Sequence, residues 1–330
     1  MGKKFTIGVL IGNVHTAHPK DLMRGIRAAA SGMDVNMIYF LGTQSVRFNQ
    51  KFALEDFDYQ YNTVYDYAKL AKVDVLIIAY GSLCIFQENE DKQAFLDKFA
   101  GIPYVLLEDA TDDPRGIYVM VDNYGGMQKC VEHLIIEHHL KHLVYLGGPE
   151  DNQDAIERKA AFLNVMAEHH LPVTPEMMAV GDYSEFVDNL VEQLLRDNPD
   201  AEAIISANDE MTVACYRVCK AHGLRIGKDI LITGFDDVER ARYSNPPLTT
   251  VSQDAYKMGQ IAVEKAVDIC AGRPVESVRL DAELIIRESC GCKVTRRAKE
   301  KADEKTELLH IIDELRLFQH KSWLGPFLIR

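Results

Sequence analysis

Six short polar segments, each following an apolar run, carry the residue types that could do chemistry. After the run at 5–11 come Gly12, Asn13, Val14, His15, Thr16, Ala17 and His18. Tyr80-Gly81-Ser82 follows 75–79, and Glu108-Asp109 follows 104–107. Further on, Gly147-Gly148-Pro149 leads to Arg158, Asn208-Asp209-Glu210 follows 203–206, and Asp236-Asp237 closes the run ending at Gly234. Asn, Asp, Glu, Arg and Tyr in such places hydrogen-bond hydroxyl groups and cover apolar ring faces, which suits a sugar, a polyol or a nucleoside. Within the acidic pairs the roles divide. Asp209 and Glu210 read as first-turn acids of a helix and Asn208 as a ligand contact; Asp236 is assigned to the cleft and Asp237 to a cap.

Other constellations point nowhere comparable. His133, His138, His139 and His142 cluster locally, and His138 and His142 have i,i+4 spacing. A strand beginning near 142 interrupts the helix that would be needed to converge them on a metal. Cys290-x-Cys292 and Cys215-x-x-x-Cys219 lack a second matching pair, and the latter two fall on one helix face as core residues. There is no nucleophile elbow, no phosphate-binding glycine loop and no paired acid and base. The expectation is therefore a non-enzyme with no catalytic residue, no metal and no cofactor.

These segments are positioned by a regular alternation. Apolar runs at 5–11, 35–40, 75–79 and 104–107 alternate with amphipathic stretches at 19–31 and 61–72 and a helix face marked by Phe95 and Phe99. The rhythm restarts with helices at 126–137, 155–169, 185–196 and 210–221 and strands at 142–146, 203–206 and 230–234. Near-continuous apolar strands between helices imply parallel sheets covered on both faces. Two such series predict an α/β chain with two doubly wound lobes and ligands at the carboxyl ends of the strands. Beyond Gly234 come an extended segment at 246–251, a helix at 256–271 that Gly272 terminates, and a late strand at 282–286. Residues 293–320 hold neither Gly nor Pro, and Leu308, Ile311, Leu315 and Phe318 repeat at 3-4-3 spacing. That pattern predicts a helical tail with a short coiled-coil-like seam, packed either on its own lobe or on a second copy.

Bulk properties narrow the class. The chain has 330 residues, 47% hydrophobic and 26% charged, which provides for two lobes and a substantial core. A net charge of -13 disfavours nucleic-acid contact, since phosphates demand clustered Lys and Arg. Seven cysteines without framework spacing suit a reducing compartment. No apolar run approaches the ~18 residues of a membrane span. A cytoplasmic location and no membrane partner are expected.

Several stretches taken together resemble the lactose- and galactose-repressor (LacI/GalR) family. They are Val121-Asp122-Asn123-Tyr124-Gly125-Gly126 with Glu132-His133-Leu134-Ile135; Leu146-Gly147-Gly148-Pro149; 158–162; Ala207-Asn208-Asp209-Glu210-Met211; 229–237; and Pro246-Pro247-Leu248-Thr249-Thr250-Val251. The resemblance implies a periplasmic-binding-protein-like fold whose two lobes are joined by three crossovers and close on an effector. It implies lobes of 1–121 with 255–281 and of 122–254 with 282–292, followed by a tail at 293–330.

Carried over position by position, the resemblance assigns ligand contacts to Arg158, Asn208 and Asp236 in the second lobe. It puts Gln253 at the hinge, Glu108 in the first lobe, and Asn13 and Tyr80 on first-lobe rim loops; His15, in the first rim loop, is a candidate contact from its own chemistry. Ala161 stands where the family has glycine, Ala255 where some members have an aromatic, and His15 and His18 are atypical. Family repressors carry a helix-turn-helix before the first strand, whereas here a strand opens at Phe5, so direct operator binding by this chain is not expected. The Cys290-Gly291-Cys292 end resembles sensor domains upstream of signalling outputs. The resulting expectation is an effector-binding sensor domain, homodimeric, of a transcriptional regulator. The alternatives are a sensor upstream of a diguanylate-cyclase or histidine-kinase output, or an enzyme on the same fold.

Overall fold

The structure, a computed structural model, describes residues 4–43, 62–84 and 89–293. Two six-stranded sheets carry the chain. The first contains β1 (Phe5–Gly12), β2 (Val35–Gly42), β3 (Val75–Ile78), β4 (Tyr104–Leu107), β5 (Gly116–Val121) and β11 (Val278–Leu280), in the order β11-β5-β4-β3-β1-β2. The second contains β6 (Leu143–Gly147), β7 (Met178–Val180), β8 (Ala203–Ser206), β9 (Leu231–Asp236), β10 (Thr249–Ser252) and β12 (Glu283–Ile285), in the order β12-β10-β9-β8-β6-β7. All pairings are parallel except β10 with β12.

Why the central strands form is plain from their side chains. Every residue of β3, β4, β6 and β8 is buried, as strands covered by helices on both faces require. Each fully buried Leu or Ile contributes on the order of 1.5–3 kcal/mol. Cys215 and Cys219 belong to this core, on the inner face of α8 (Asp209–Ala221).

The chain passes between the sheets three times. It leaves the first sheet after Val121, returns after Ser252 through α10 (Ala255–Cys270), and leaves again between Leu280 and Glu283. Helix α10 lies against α1 (Ala17–Ser31) at very short range. A Cβ on Gly25 would stand 1.8 Å from the Tyr256 carbonyl oxygen, and one on Gly259 would stand 2.3 Å from that of Leu22. Only glycine permits this approach, and it binds the returning helix to the first sheet.

Some elements differ from the sequence expectation. Strand β5 was not anticipated: its first half is only partly buried and it follows a Pro-containing turn. The three-residue strands β7 and β11 are too short to leave a pattern. The helix expected at 126–137 begins earlier, as α5 (Asn123–Glu132), where the Asp122 side chain accepts from the Gly125 amide; it then widens into a π-helical turn, His133–Glu137. The stretch at 61–72 is a short helix, α2 (Thr63–Asp66), followed by a 3₁₀ turn, Tyr67–Lys69. The predicted tail seam, from Leu308 to Phe318, lies outside the described residues.

Candidate functional site

Both sheets reverse strand order beside their first strand, at β1/β3 and at β6/β8. Crevices form at such points, outside the carboxyl ends of the strands. The segments after these strands carry the residues described next.

In the second lobe the centre is Arg158, on α6 (Gln153–Glu168), with 2% of its surface exposed. Its guanidinium lies 3.8 Å from the centroid of the Phe235 ring. Nε donates to Asn123 Oδ1 at 2.8 Å, and one terminal nitrogen donates to the Ala207 carbonyl at 2.6 Å. Carboxylates of Asp154 and Asp236 stand 3.6 Å away on either side. Asn123 also donates to Asp154 Oδ1 at 2.8 Å, and Gln253 donates to Asp236 Oδ1. The guanidinium is thus fixed in one plane before any ligand arrives, with donors left over beyond these two bonds.

The first-lobe half is built on Glu108. It follows β4 with φ +71°, and its carboxylate is almost wholly buried. Oε1 meets His18 Nε2 at 2.6 Å, and Oε2 accepts from the Ser82 amide at 2.7 Å and from its hydroxyl. Gly81 is needed for this: a Cβ there would stand 2.6 Å from Glu108 Cβ. Nearby, Lys92 pairs with Asp109 at 3.0 Å, both nearly buried.

Electrostatics couple the halves. Burial works against a charge on His18, but Glu108, together with Asp236 and Asp154 from the other lobe, lifts its pKa to about 9. Burial likewise opposes ionisation of Glu108, but His18 and the Ser82 donors hold it below the usual carboxylate range. Asp154 is pushed up to about 7 by burial, with Arg158 opposing and neighbouring acids adding to the rise. Burial also raises Asp236, against the pull of Arg158 and His18. A cleft of about 830 Å³ opens beside these groups, between Tyr80, Lys92 and Asp109 of the first lobe and Asp151, Gln153 and Ile156 of the second.

The sequence-selected residues fare differently. Glu108, Arg158, Asp236 and Gln253 converge as described. Tyr80 is 4% exposed, forms part of the cleft wall and packs on Phe95 with ring centroids 6.4 Å apart. Asn13 sits half-buried in the turn after β1 with φ +49°, its carbonyl accepting from Thr16. His15 is exposed in that turn; the histidine that reaches Glu108 is His18.

Asn208 is committed to the backbone. Its Oδ1 accepts from the Met211 amide at 3.0 Å and its amide donates to the Tyr183 carbonyl at 3.1 Å, so it is the cap of α8. Asp209, expected to be merely a first-turn acid, is buried between the Thr250 hydroxyl and the Val238 amide. Asp237 caps no helix; it binds Arg287 at 2.6 Å and Arg242 at 3.1 Å. Sequence reasoning missed Asn123 and Asp154. Their one signal was placement: Asp154 lies one helical turn before Arg158, and Asn123 lies inside a family-like motif.

The Cys290-x-Cys292 pair, set aside for want of partners, does have neighbours. His133, His138, Cys290 and Cys292 bring their ligand atoms within 4.8 Å of one another. Among the described residues, no helix is long and apolar enough to cross a membrane.

Comparison with known proteins agrees with this architecture. Residues 131–290 match the family of the periplasmic binding protein-like domain. The HTH-type transcriptional regulator CelR of Thermobifida fusca is 30% identical over 218 residues, 63% of each chain. The HTH-type transcriptional repressor PurR of Aliivibrio fischeri (strain MJ11) is 29% identical over 198 residues, 58% of this chain and 56% of the relative. The chain thus spans about three fifths of the length of these curated relatives, which are named as transcriptional regulators and not as enzymes. The crystal structure of the Lac repressor dimer bound to operator and the anti-inducer ONPF superposes with a TM-score of 0.72 at 23% identity, covering 88% of this chain and 82% of that one. Residues 131–290 thus match a periplasmic binding protein-like domain, and the chain has a fold similar to that of the Lac repressor.

Proposed function

We propose that this chain is the effector-binding sensor domain of a cytoplasmic LacI-type regulator, and that it binds a small, neutral, polyhydroxylated molecule such as a sugar, a polyol or a nucleoside between its lobes. The observation that carries this reading is the facing pair of preorganised groups: Arg158 held by Asn123 and Ala207 on one side, Glu108 held by His18 and Ser82 on the other. Acidic side chains predominate on the cleft wall, Asp109, Asp112, Asp113 and Asp151 against Lys92, which favours hydroxyl groups over phosphates. The solved CelR relative is a complex with cellobiose, which supports a carbohydrate class.

In this reading the first lobe is 1–121 with 255–281, the second is 122–254 with 282–292, and 293–330 lead to an output. Effector binding closes the lobes about the three crossovers, and closure biases the partner surface of a homodimer. The chain catalyses no reaction, and its net charge of -13 argues against direct contact with nucleic acid by this domain. Asn13, His15, Tyr80, Asn208, Asp236 and Gln253 complete the proposed set. Of these, Asn208 acts through the backbone it caps, and His15 remains on the rim.

Thermal denaturation against a library of sugars, polyols, nucleosides and their phosphates tests the proposal, because a ligand that binds only the native state raises its stability. A neutral hydroxylated compound that shifts melting in the native protein, and not in Glu108→Gln, supports it. Phosphorylated compounds as the only stabilisers would overturn it.

A further inference from the structure

The turn that ends α5 and the turn that follows β12 meet far along the chain from one another. His133 opens the π-helical turn and His138 follows it. In an α-helix residues five apart point in different directions, but in a π turn they stand one above the other. The two imidazoles accordingly pack edge to face, and their Nε2 atoms lie 3.2 Å apart. Cys292 Sγ reaches both rings, at 3.6 Å from His133 Nε2 and 3.3 Å from His138 Nε2. Gly291 takes φ +85°, a conformation open to glycine, and so turns the chain between Cys290 and Cys292.

These distances have a specific meaning. Zinc binds imidazole nitrogen at about 2.0–2.1 Å and thiolate sulfur at about 2.3 Å in a tetrahedron, whose ligand–ligand edges are then about 3.3 Å for N–N, 3.5 Å for N–S and 3.8 Å for S–S. The N–N separation of 3.2 Å and the N–S separations of 3.3 and 3.6 Å match those edges. All four atoms lie within 4.8 Å of one another, which exceeds the longest ideal edge by at most about 1 Å.

We propose that His133, His138, Cys290 and Cys292 form a structural zinc(II) site that clips the end of α5 to the segment leaving the second lobe. A two-cysteine, two-histidine set fills all four zinc positions, so the site holds structure and leaves no place for a substrate. Burial, with His138 beside His133 and His139 beside His138, keeps both imidazoles below their usual range against the pull of Glu137. None of the four residues lines the interlobe cleft. The site fixes the chain at its approach to residue 293, so its effect falls on the path from the lobe to whatever follows.

The test is metal content of the full chain, purified under reducing conditions, incubated with zinc sulfate and desalted. The account expects about one equivalent of zinc per chain by mass spectrometry, and on cobalt(II) exchange the visible bands of tetrahedral thiolate–imidazole coordination. The double variant His138→Ala/Cys292→Ala, checked as folded by circular dichroism, is expected to lose at least nine tenths of the metal. Cys270→Ala, outside the cluster, is expected to retain it. Native protein that holds less than about a tenth of an equivalent, or a folded double variant that keeps a full one, overturns the proposal.

Discussion

His18 and Glu108, 90 residues apart in the chain, meet at 2.6 Å, and that contact ties the start of α1 to the turn after β4. Its electrostatic consequence can be measured. The pKa of His18 rises from 6.5 to about 9 in the folded protein. The native state therefore holds a proton that the unfolded chain releases between those values. The stabilisation is fully present below pH 6.5 and is lost as pH rises through about 9, by up to roughly 3 kcal/mol. Urea denaturation at pH 6 and pH 9 reads this loss. His18→Gln should flatten the difference, and an equal pH dependence in both proteins would contradict the assignment.

Asp154 behaves with the same sign over a lower range. Its pKa is raised from 3.8 to about 7, burial being the main cause. The native state therefore favours the protonated carboxyl, and the stability this brings falls as pH rises from about 4 towards 7. Asp154→Asn, which keeps the shape and removes the charge, should raise stability at pH 8 relative to its effect at pH 4. Denaturation midpoints at the two pH values check this.

Removing Arg158 leaves Asp154 and Asp236 buried without their common cation. Arg158→Ala should cost about 3–5 kcal/mol, and Arg158→Lys should recover only part, because a lysine cannot lie flat on Phe235 while donating to both Asn123 and Ala207. Equilibrium unfolding of both variants measures the difference.

The α1–α10 contact should tolerate no side chain. Gly259→Ala places a Cβ against the Leu22 carbonyl, and the helices must part, at a cost of about 1–3 kcal/mol or more. Gly272→Ala is a useful contrast. Its site is open, but its φ of +66° strains any other residue, so the loss there comes from the backbone and not from packing.

The lobes were legible in the sequence because their central strands are uninterrupted apolar runs between amphipathic helices; Val75–Ile78 is buried at all four positions. The edge elements were not, since three residues such as Val278–Leu280 carry no period to detect. Of the residues proposed for the site, Glu108, Arg158, Asp236 and Gln253 were selected from their places after strands and in family-like motifs. Asn208 was read as a ligand contact, because nothing in its neighbours reveals that its oxygen turns back on the Met211 amide. Asn123 was passed over because its role depends on Arg158 reaching across from α6, and Asp154, on α6 itself, because its bond to Asn123 leaves no mark in the sequence. The histidine–cysteine cluster was hidden by a π turn, which changes the spacing at which residues share a face, and by a separation of more than 150 residues between the two halves.

The central claim is that the interlobe cleft takes a neutral hydroxylated effector. Isothermal titration of the native protein with the best stabiliser from the thermal screen, repeated on Glu108→Gln, tests it most directly. The account predicts saturable one-to-one binding that weakens at least about tenfold, or 1.4 kcal/mol, in the variant. Unchanged affinity in Glu108→Gln would place the ligand elsewhere and contradict it.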